Sequence, residues 1–262
     1  MSESSSIPIR AETTFGANSF VPAEEIKIAG LTPFTSIDYP GKLSAVAFLQ
    51  GCPWQCVYCH NTWMQSREFH PDYRHSSWEE LAKLLSRRRG LLDAVVFSGG
   101  EPCLDPALAD AMRRVKEEFG MAVGLHTSGA YPRRLAEVID LVDWVGLDVK
   151  ANPENAAAFD AVTGRKGSAE AFKESFEIVR RSGKDYEART TAHPDYLPEE
   201  ELLALTAWLA ERGASTYALQ IYRTPPQATP RFARVGSDYP SQATVDALRA
   251  RFPRFTVRRE GE

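Results

Sequence analysis

The sequence predicts an α/β protein built on a parallel sheet. Two patterns carry that expectation. After residue 43, six short apolar, β-branched runs alternate with helical stretches, most of which stop at glycine. Polar and charged residues then gather just after the runs, where a parallel sheet collects its ligand-binding groups.

The strand-like runs are SAVAFLQ, AVVFSGG, MAVGLHTSG, VDWVGLDVK, YEARTTA and TYALQIYR. The helices between them have readable ends. SSWEELAKLLSRRRG opens with a Ser77–Glu80 capping box, stops at Gly90, and sets Trp78, Leu81, Leu84 and Leu85 on one face. DPALADAMRRVKEEFG offers Asp105 as N-cap, Pro106 in the first helical position and Gly120 as stop. Two further helices run from Ser168 to Gly183 and from near Pro198 to Gly213. A last helix, SQATVDALRARF, precedes a terminal strand, FTVRR. An open doubly wound sheet and a complete or partial barrel both satisfy this order.

Strand alternation sharpens the picture. In VDWVGLDVK, Val145, Leu147 and Val149 should face the helices, while Gly146, Asp148 and Lys150 face the other way. A small glycine followed by two charges predicts a roomy polar interior.

Bulk properties exclude several classes. The chain has 262 residues and a net charge of −4, so it lacks the basic excess that holds nucleic acid or anionic lipid. Its apolar runs are too short to span a bilayer. Residues 1–25 are Ser-rich and read as a mobile tail with no signal-type apolar core, leaving residues 26–262 as the folded domain. These features predict a cytoplasmic protein in a reducing compartment, with neither nucleic acid nor membrane as partner. There, clustered cysteines more often bind metal than form disulfides.

Three of the four cysteines stand as C-x3-C-x2-C, Cys52, Cys56 and Cys59, at the end of the first strand. Thiolates at this spacing can hold zinc or an iron–sulfur cluster. Structural zinc needs a fourth ligand. His60 adjoins Cys59 too closely for easy joint coordination, and Cys103 could arrive only through the fold. A [4Fe–4S] cluster on three cysteines leaves one iron open to a substrate or cofactor.

The cysteine motif, with Tyr58 before its last cysteine, and the GGEP at Gly99–Pro102 after the second strand together resemble the radical S-adenosylmethionine (SAM) superfamily. Within it, TSIDYPGKLSAVAFLQGCPWQCVYCHN is similar to the activating proteins of anaerobic ribonucleoside-triphosphate reductase, kin of other glycyl-radical-enzyme activases. The resemblance covers about residues 26–225. It implies a partial (βα)6 TIM-like barrel, a [4Fe–4S] cluster on Cys52, Cys56 and Cys59, and SAM on the open iron. It also implies a glycyl radical enzyme as partner and an electron donor such as flavodoxin or ferredoxin. One electron would cleave SAM to methionine and a 5′-deoxyadenosyl radical, which takes a hydrogen from a glycine of the partner.

Residue by residue, the resemblance sets Tyr58 beside the adenine, and Gly99, Gly100 and Glu101 at the SAM amino group. It sets Ser128 at the ribose or carboxylate, and Asp148, Lys150 and Arg189 around the carboxylate. His193 and Arg223 are weaker candidates. His126 stands where related activases carry an aspartate, and it is read, like His60, as a surface or packing residue. Trp54 is read as packing or as a shield for the irons, and Cys103 as an incidental thiol. With only one cysteine outside the triad there is no second cluster, which favours a compact activase. A small-molecule radical SAM enzyme such as a 7-carboxy-7-deazaguanine synthase is the alternative.

Overall fold

The computed structural model describes residues 20–224 and 231–259. One eight-stranded sheet runs in chain order: β1 (Ile28–Thr35), β2 (Ser44–Leu49), β3 (Ala94–Gly99), β4 (Ala122–Thr127), β5 (Trp144–Asp148), β6 (Asp185–Ala192), β7 (Thr216–Ile221) and β8 (Arg254–Arg258). From β2 to β8 every pairing is parallel, and β1 pairs antiparallel to β2. The helices α1 (Trp78–Arg87), α2 (Leu108–Phe119), α3 (Pro132–Val138), α4 (Ala156–Thr163), α5 (Ser168–Arg181), α6 (Glu199–Glu211) and α7 (Gln242–Arg251) supply the crossovers. The six expected strands are β2–β7, the core of a partial barrel.

Local signals set several ends where the sequence placed them. Ser77 accepts a hydrogen bond from the Glu80 amide at 3.3 Å and opens α1. The carboxylate of Asp105 accepts from the Ala107 amide as an N-cap does, although regular helix begins at Leu108. Several elements, α3 among them, were not foreseen or fall differently. β1 carries Gly30 and Pro33, which obscure a strand signal, and its pairing with β2 shifts register twice, as suits an edge. α4 is a short alanine-rich turn of helix capped by the Asn155 side chain. Within the stretch read as tail, Ala23–Glu25 forms a short 3-10 helix, Ala23 is buried and its amide donates to Asp110. Residues 1–19 of that tail lie outside the described residues.

Most of the apolar core lies between sheet and helices, and includes Val145, Leu147 and Val149, all fully buried. The opposite, inner face of the sheet is layered. Near the start of the strands, Val46, Ala94, Val96 and Trp144 close round Tyr39, which the β1–β2 loop sends in to stack on Trp144 at 5.1 Å. This apolar floor lies below a polar layer containing Ser98, His126 and Gly146, since these residues follow it along β3, β4 and β5. Glu187, also inward and buried, pairs with Arg258 of β8 at 3.0 Å.

Candidate active site

The cysteine loop leaves β2 and is tied down on both sides. The Gly51 and Cys52 amides donate to the carbonyls of Met64 and Gln65, and those of Gln55 and Val57 donate to Thr163 and Val162 at the end of α4. Trp54 packs edge-on against Phe159 of α4, 6.0 Å between centroids. Cys52, Cys56 and Cys59 line one cleft at the carboxyl ends of the strands, together with Tyr58, Gly99, Gly100, Ser128, Asp148, Lys150 and Arg189. Every cleft contact expected from the sequence is there except Glu101.

Glu101 lies behind the cleft, 1% exposed. Its Oε1 accepts from the Cys103 amide at 3.1 Å and from the Thr127 hydroxyl at 2.7 Å. Its Oε2 accepts from the Ser128 amide at 2.9 Å and from the Ser128 hydroxyl at 2.6 Å. A carboxylate has about four lone-pair positions, so this one is filled by the chain itself. Glu101 therefore ties the β3 loop to the end of β4, and is not free to accept from an ammonium as the sequence suggested.

The two glycines before it are required by backbone contact. Gly99 has φ +118°, and a Cβ there would stand 2.3 Å from the Leu49 nitrogen. A Cβ on Gly100 would stand 2.2 Å from the Gly51 carbonyl oxygen. Their absence lets β3 lie flush against the cysteine loop, where the Gly100 and Glu101 amides donate to Leu49 and Gly51.

On the far wall, one carboxylate holds two cations. Asp148 Oδ1 accepts from Arg189 Nε at 3.0 Å and lies 2.9 Å from Nη2 as an ion pair, and Oδ2 accepts from Lys150 Nζ at 3.0 Å. Burial disfavours the ionised carboxyl, yet the Arg189 and Lys150 charges outweigh it and hold Asp148 well below the usual range. Burial likewise works against the Lys150 ammonium, and Asp148 reverses that, so the amine stays protonated. Two cations against one anion leave this wall with excess positive charge. Lys150 Nζ also stands 5.5 Å from the Tyr58 ring centroid, and Tyr58 stacks on Tyr196 at 5.0 Å.

Gly146 makes the room for Arg189. A Cβ at that position would lie 2.9 Å from Arg189 Cζ and 2.8 Å from His126 Cδ2. His126 is 8% exposed and lines the cleft, so it belongs to this wall and not to the surface. Burial, then the Arg189 charge, push its pKa down to about 3, so the ring is neutral. Its Nε2 lies between the Asp38 carbonyl, an acceptor at 2.8 Å, and Arg189 Nη1, a donor at 3.1 Å, and its Nδ1 lies 3.3 Å from the Ser98 hydroxyl.

The remaining candidates sort clearly. His193 is buried. Its Nδ1 accepts from the Asp195 amide and its Nε2 donates to the Ala233 carbonyl, a packing role outside the cleft. Arg223 is exposed and does not line the cleft. His60 does line it and meets Tyr222 edge-on at 5.3 Å. Sequence reasoning passed over Ser98, Asn61, Met64, Gln65 and Thr127, which complete the lining. Ser98, Thr127 and Asn61 stand within two residues of recognised motif residues, which was the available signal, whereas Met64 and Gln65, five and six residues beyond Cys59, carried none.

The donor set fits an iron–sulfur cluster better than zinc. A single zinc draws about four donors to one point, whereas a cluster takes one thiolate per iron. Among the described residues no group of three or more His, Cys, Asp or Glu side chains converges on a single ion. Cys103, the remaining thiol, is 2% exposed and outside the cleft. Burial, then Glu101, push the Cys52 thiol up to about 12, and burial also raises Cys56 against the pull of Lys150. Metal binding therefore displaces protons from these thiols.

An open set of three thiols over a polar cleft, at the strand ends of a partial barrel, defines a cluster-dependent α/β enzyme. Residues 46–209 match the Radical SAM superfamily, and the chain belongs to it. The family uses a [4Fe–4S] cluster and SAM. A protein of Methanocaldococcus jannaschii, assigned by name to the glycyl-radical enzyme activating enzymes, is 31% identical over 193 residues, 67% of this chain and 72% of that protein. Pyruvate formate-lyase-activating enzyme of Clostridium pasteurianum is 33% identical over 136 residues, 49% of this chain and 53% of its own length. Among solved structures, methylornithine synthase (PylB) superposes with TM-score 0.61 at 15% identity, covering 81% of this chain and 63% of that one. QueE of Escherichia coli superposes with TM-score 0.51 at 19% identity, covering 89% and 93%. These two structural likenesses speak for the fold alone. Among the described residues no helix is long and apolar enough to cross a membrane.

Proposed function

We propose that this chain is a glycyl-radical-enzyme activase whose substrate protein is anaerobic ribonucleoside-triphosphate reductase. The observation that carries the activase reading is the 31% identity over 193 residues to the relative assigned by name to that class. The choice of reductase follows from residues 35–61, whose sequence resembles its activating proteins.

A bound cluster would supply the one-electron reduction that splits SAM into methionine and a 5′-deoxyadenosyl radical. The chain's own residues hold and orient. Cys52, Cys56 and Cys59 would hold the cluster. Lys150 and Arg189, steadied by Asp148, present positive charge to the SAM carboxylate. The cleft edge at Ser98–Gly100 offers acceptors to its ammonium, and Glu101 fixes that edge. Ser128 lies beside it, bonded to Glu101, and Tyr58, backed by Tyr196, offers an aromatic face to adenine. A flavodoxin or ferredoxin supplies the electron.

The test is anaerobic. The loaded chain, SAM and a strong reductant are mixed with the reductase, and a glycyl radical is sought by electron paramagnetic resonance. One radical should form per 5′-deoxyadenosine released. Release of 5′-deoxyadenosine with no radical on the reductase, but with one on pyruvate formate-lyase, would replace the partner. No radical on either protein would remove the activase reading.

Lys150→Ala separates binding from cluster assembly. Iron content should stay at the wild-type level, and SAM affinity should fall about tenfold to a hundredfold, as expected on losing a charge-assisted hydrogen bond of ~1.5–3 kcal/mol. Calorimetric titration with SAM measures it. Unchanged affinity would reduce Lys150 to a partner of Asp148.

A further inference from the structure

The radical chemistry needs an electron delivered from outside, and the cysteine loop shows one face to solvent. Gln55, the residue before Cys56, is exposed. A turn of four exposed residues, Gly164 to Gly167, lies against it and carries Arg165 and Lys166. The attachment is by backbone: the Gln55 amide donates to Thr163 at 2.8 Å and the Val57 amide to Val162 at 2.9 Å. A Cβ on Gly164 would stand 3.0 Å from the Gln55 carbonyl oxygen. The two cations are thus fixed to the segment that bears the central thiol.

Neither Arg165 nor Lys166 forms a salt bridge among the described residues. The two flanking acids are engaged elsewhere: Asp160 accepts from the Gly167 and Ser168 amides, and Glu170 pairs with Lys173 at 2.9 Å. Arg165 is also within electrostatic reach of Tyr131, which precedes α3, and Arg133 follows two positions on, exposed. A chain of net charge −4 therefore carries a local cationic rim where its cluster loop meets solvent.

Resting on the radical SAM reading of the site, we propose that the Arg165–Lys166 turn is the docking surface for an acidic one-electron carrier protein. Electron tunnelling falls off exponentially with distance, so the carrier must approach close to the cysteine loop, and exposed Gln55, next to Cys56, is one place where that loop meets solvent. Opposite charges on the two surfaces speed encounter and set orientation. One electron leaves the reduced carrier and enters the cluster, and no proton need move.

The test is the double charge reversal Arg165→Glu with Lys166→Glu, on exposed residues outside the cleft. The probe is photoreduced flavodoxin, with dithionite as a chemical reductant that needs no docking. Flavodoxin affinity, read by fluorescence anisotropy, should weaken about tenfold or more in the variant. The wild-type affinity should fall as ionic strength rises from about 0.01 M to about 0.15 M. The dithionite-driven yield of 5′-deoxyadenosine should stay unchanged. Equal flavodoxin affinity in the two proteins would overturn the proposal, as would a reversal that weakens reductase binding and leaves flavodoxin untouched. Absence of 5′-deoxyadenosine with dithionite in the wild type would instead count against the reading of the site, while the anisotropy still judges the docking surface.

Discussion

Cys56→Ala should lose its iron and sulfide after anaerobic reconstitution, and with them all release of 5′-deoxyadenosine. Three thiols line the cleft, and no fourth is there to replace the central one. Cys103 is walled off behind Glu101, so it cannot move in without dismantling the β3–β4 connection. Cys103→Ala is the paired control and should keep cluster and activity. Iron and sulfide analysis beside chromatography of the reaction reads both. Turnover by Cys56→Ala would contradict the ligand assignment. Loss of the cluster in Cys103→Ala would point to a fully ligated electron-transfer centre.

Glu101→Ala should be the costliest change to the fold around the site. The carboxylate is buried and accepts four hydrogen bonds from Cys103, Thr127 and Ser128. Removing it strands those donors in a space water does not readily reach. Each orphaned buried group costs ~1–3 kcal/mol, and partial relaxation brings the expected total to about 3 kcal/mol. In a chain of this size that lowers Tm by about 6–12 °C. Glu101→Gln keeps one acceptor oxygen and should fall between the two. Calorimetry on the cluster-free protein isolates the effect from cofactor binding, and an unchanged Tm in Glu101→Ala would show that the carboxylate is not the tie described.

Much of the architecture was legible because it is local. Periodicity along a few residues marked β2–β7, caps marked the helix starts, and two spaced motifs marked the cleft. The rest depends on partners far apart in sequence. That Glu101 turns away from the cleft follows from Thr127 and Ser128, 26 and 27 residues on. His126 looked like packing because its neighbours, Asp38 and Arg189, lie 88 and 63 residues away. The Tyr58–Tyr196 stack is likewise a product of the fold. Gly146 was readable as spare volume, but the group that fills the volume was not. β1 was hidden by its own Gly30 and Pro33, tolerable on an edge strand and misleading in a sequence.

The Tyr39–Trp144 floor has a kinetic consequence. A barrel stoppered at one end is a blind chamber, and traffic through it must queue. A small molecule seated deep against the inner wall has to arrive before a protein segment covers the mouth, and it leaves only after that segment withdraws. Turnover would then be compulsory-ordered: cofactor first in, fragments last out, with the macromolecule acting as the lid.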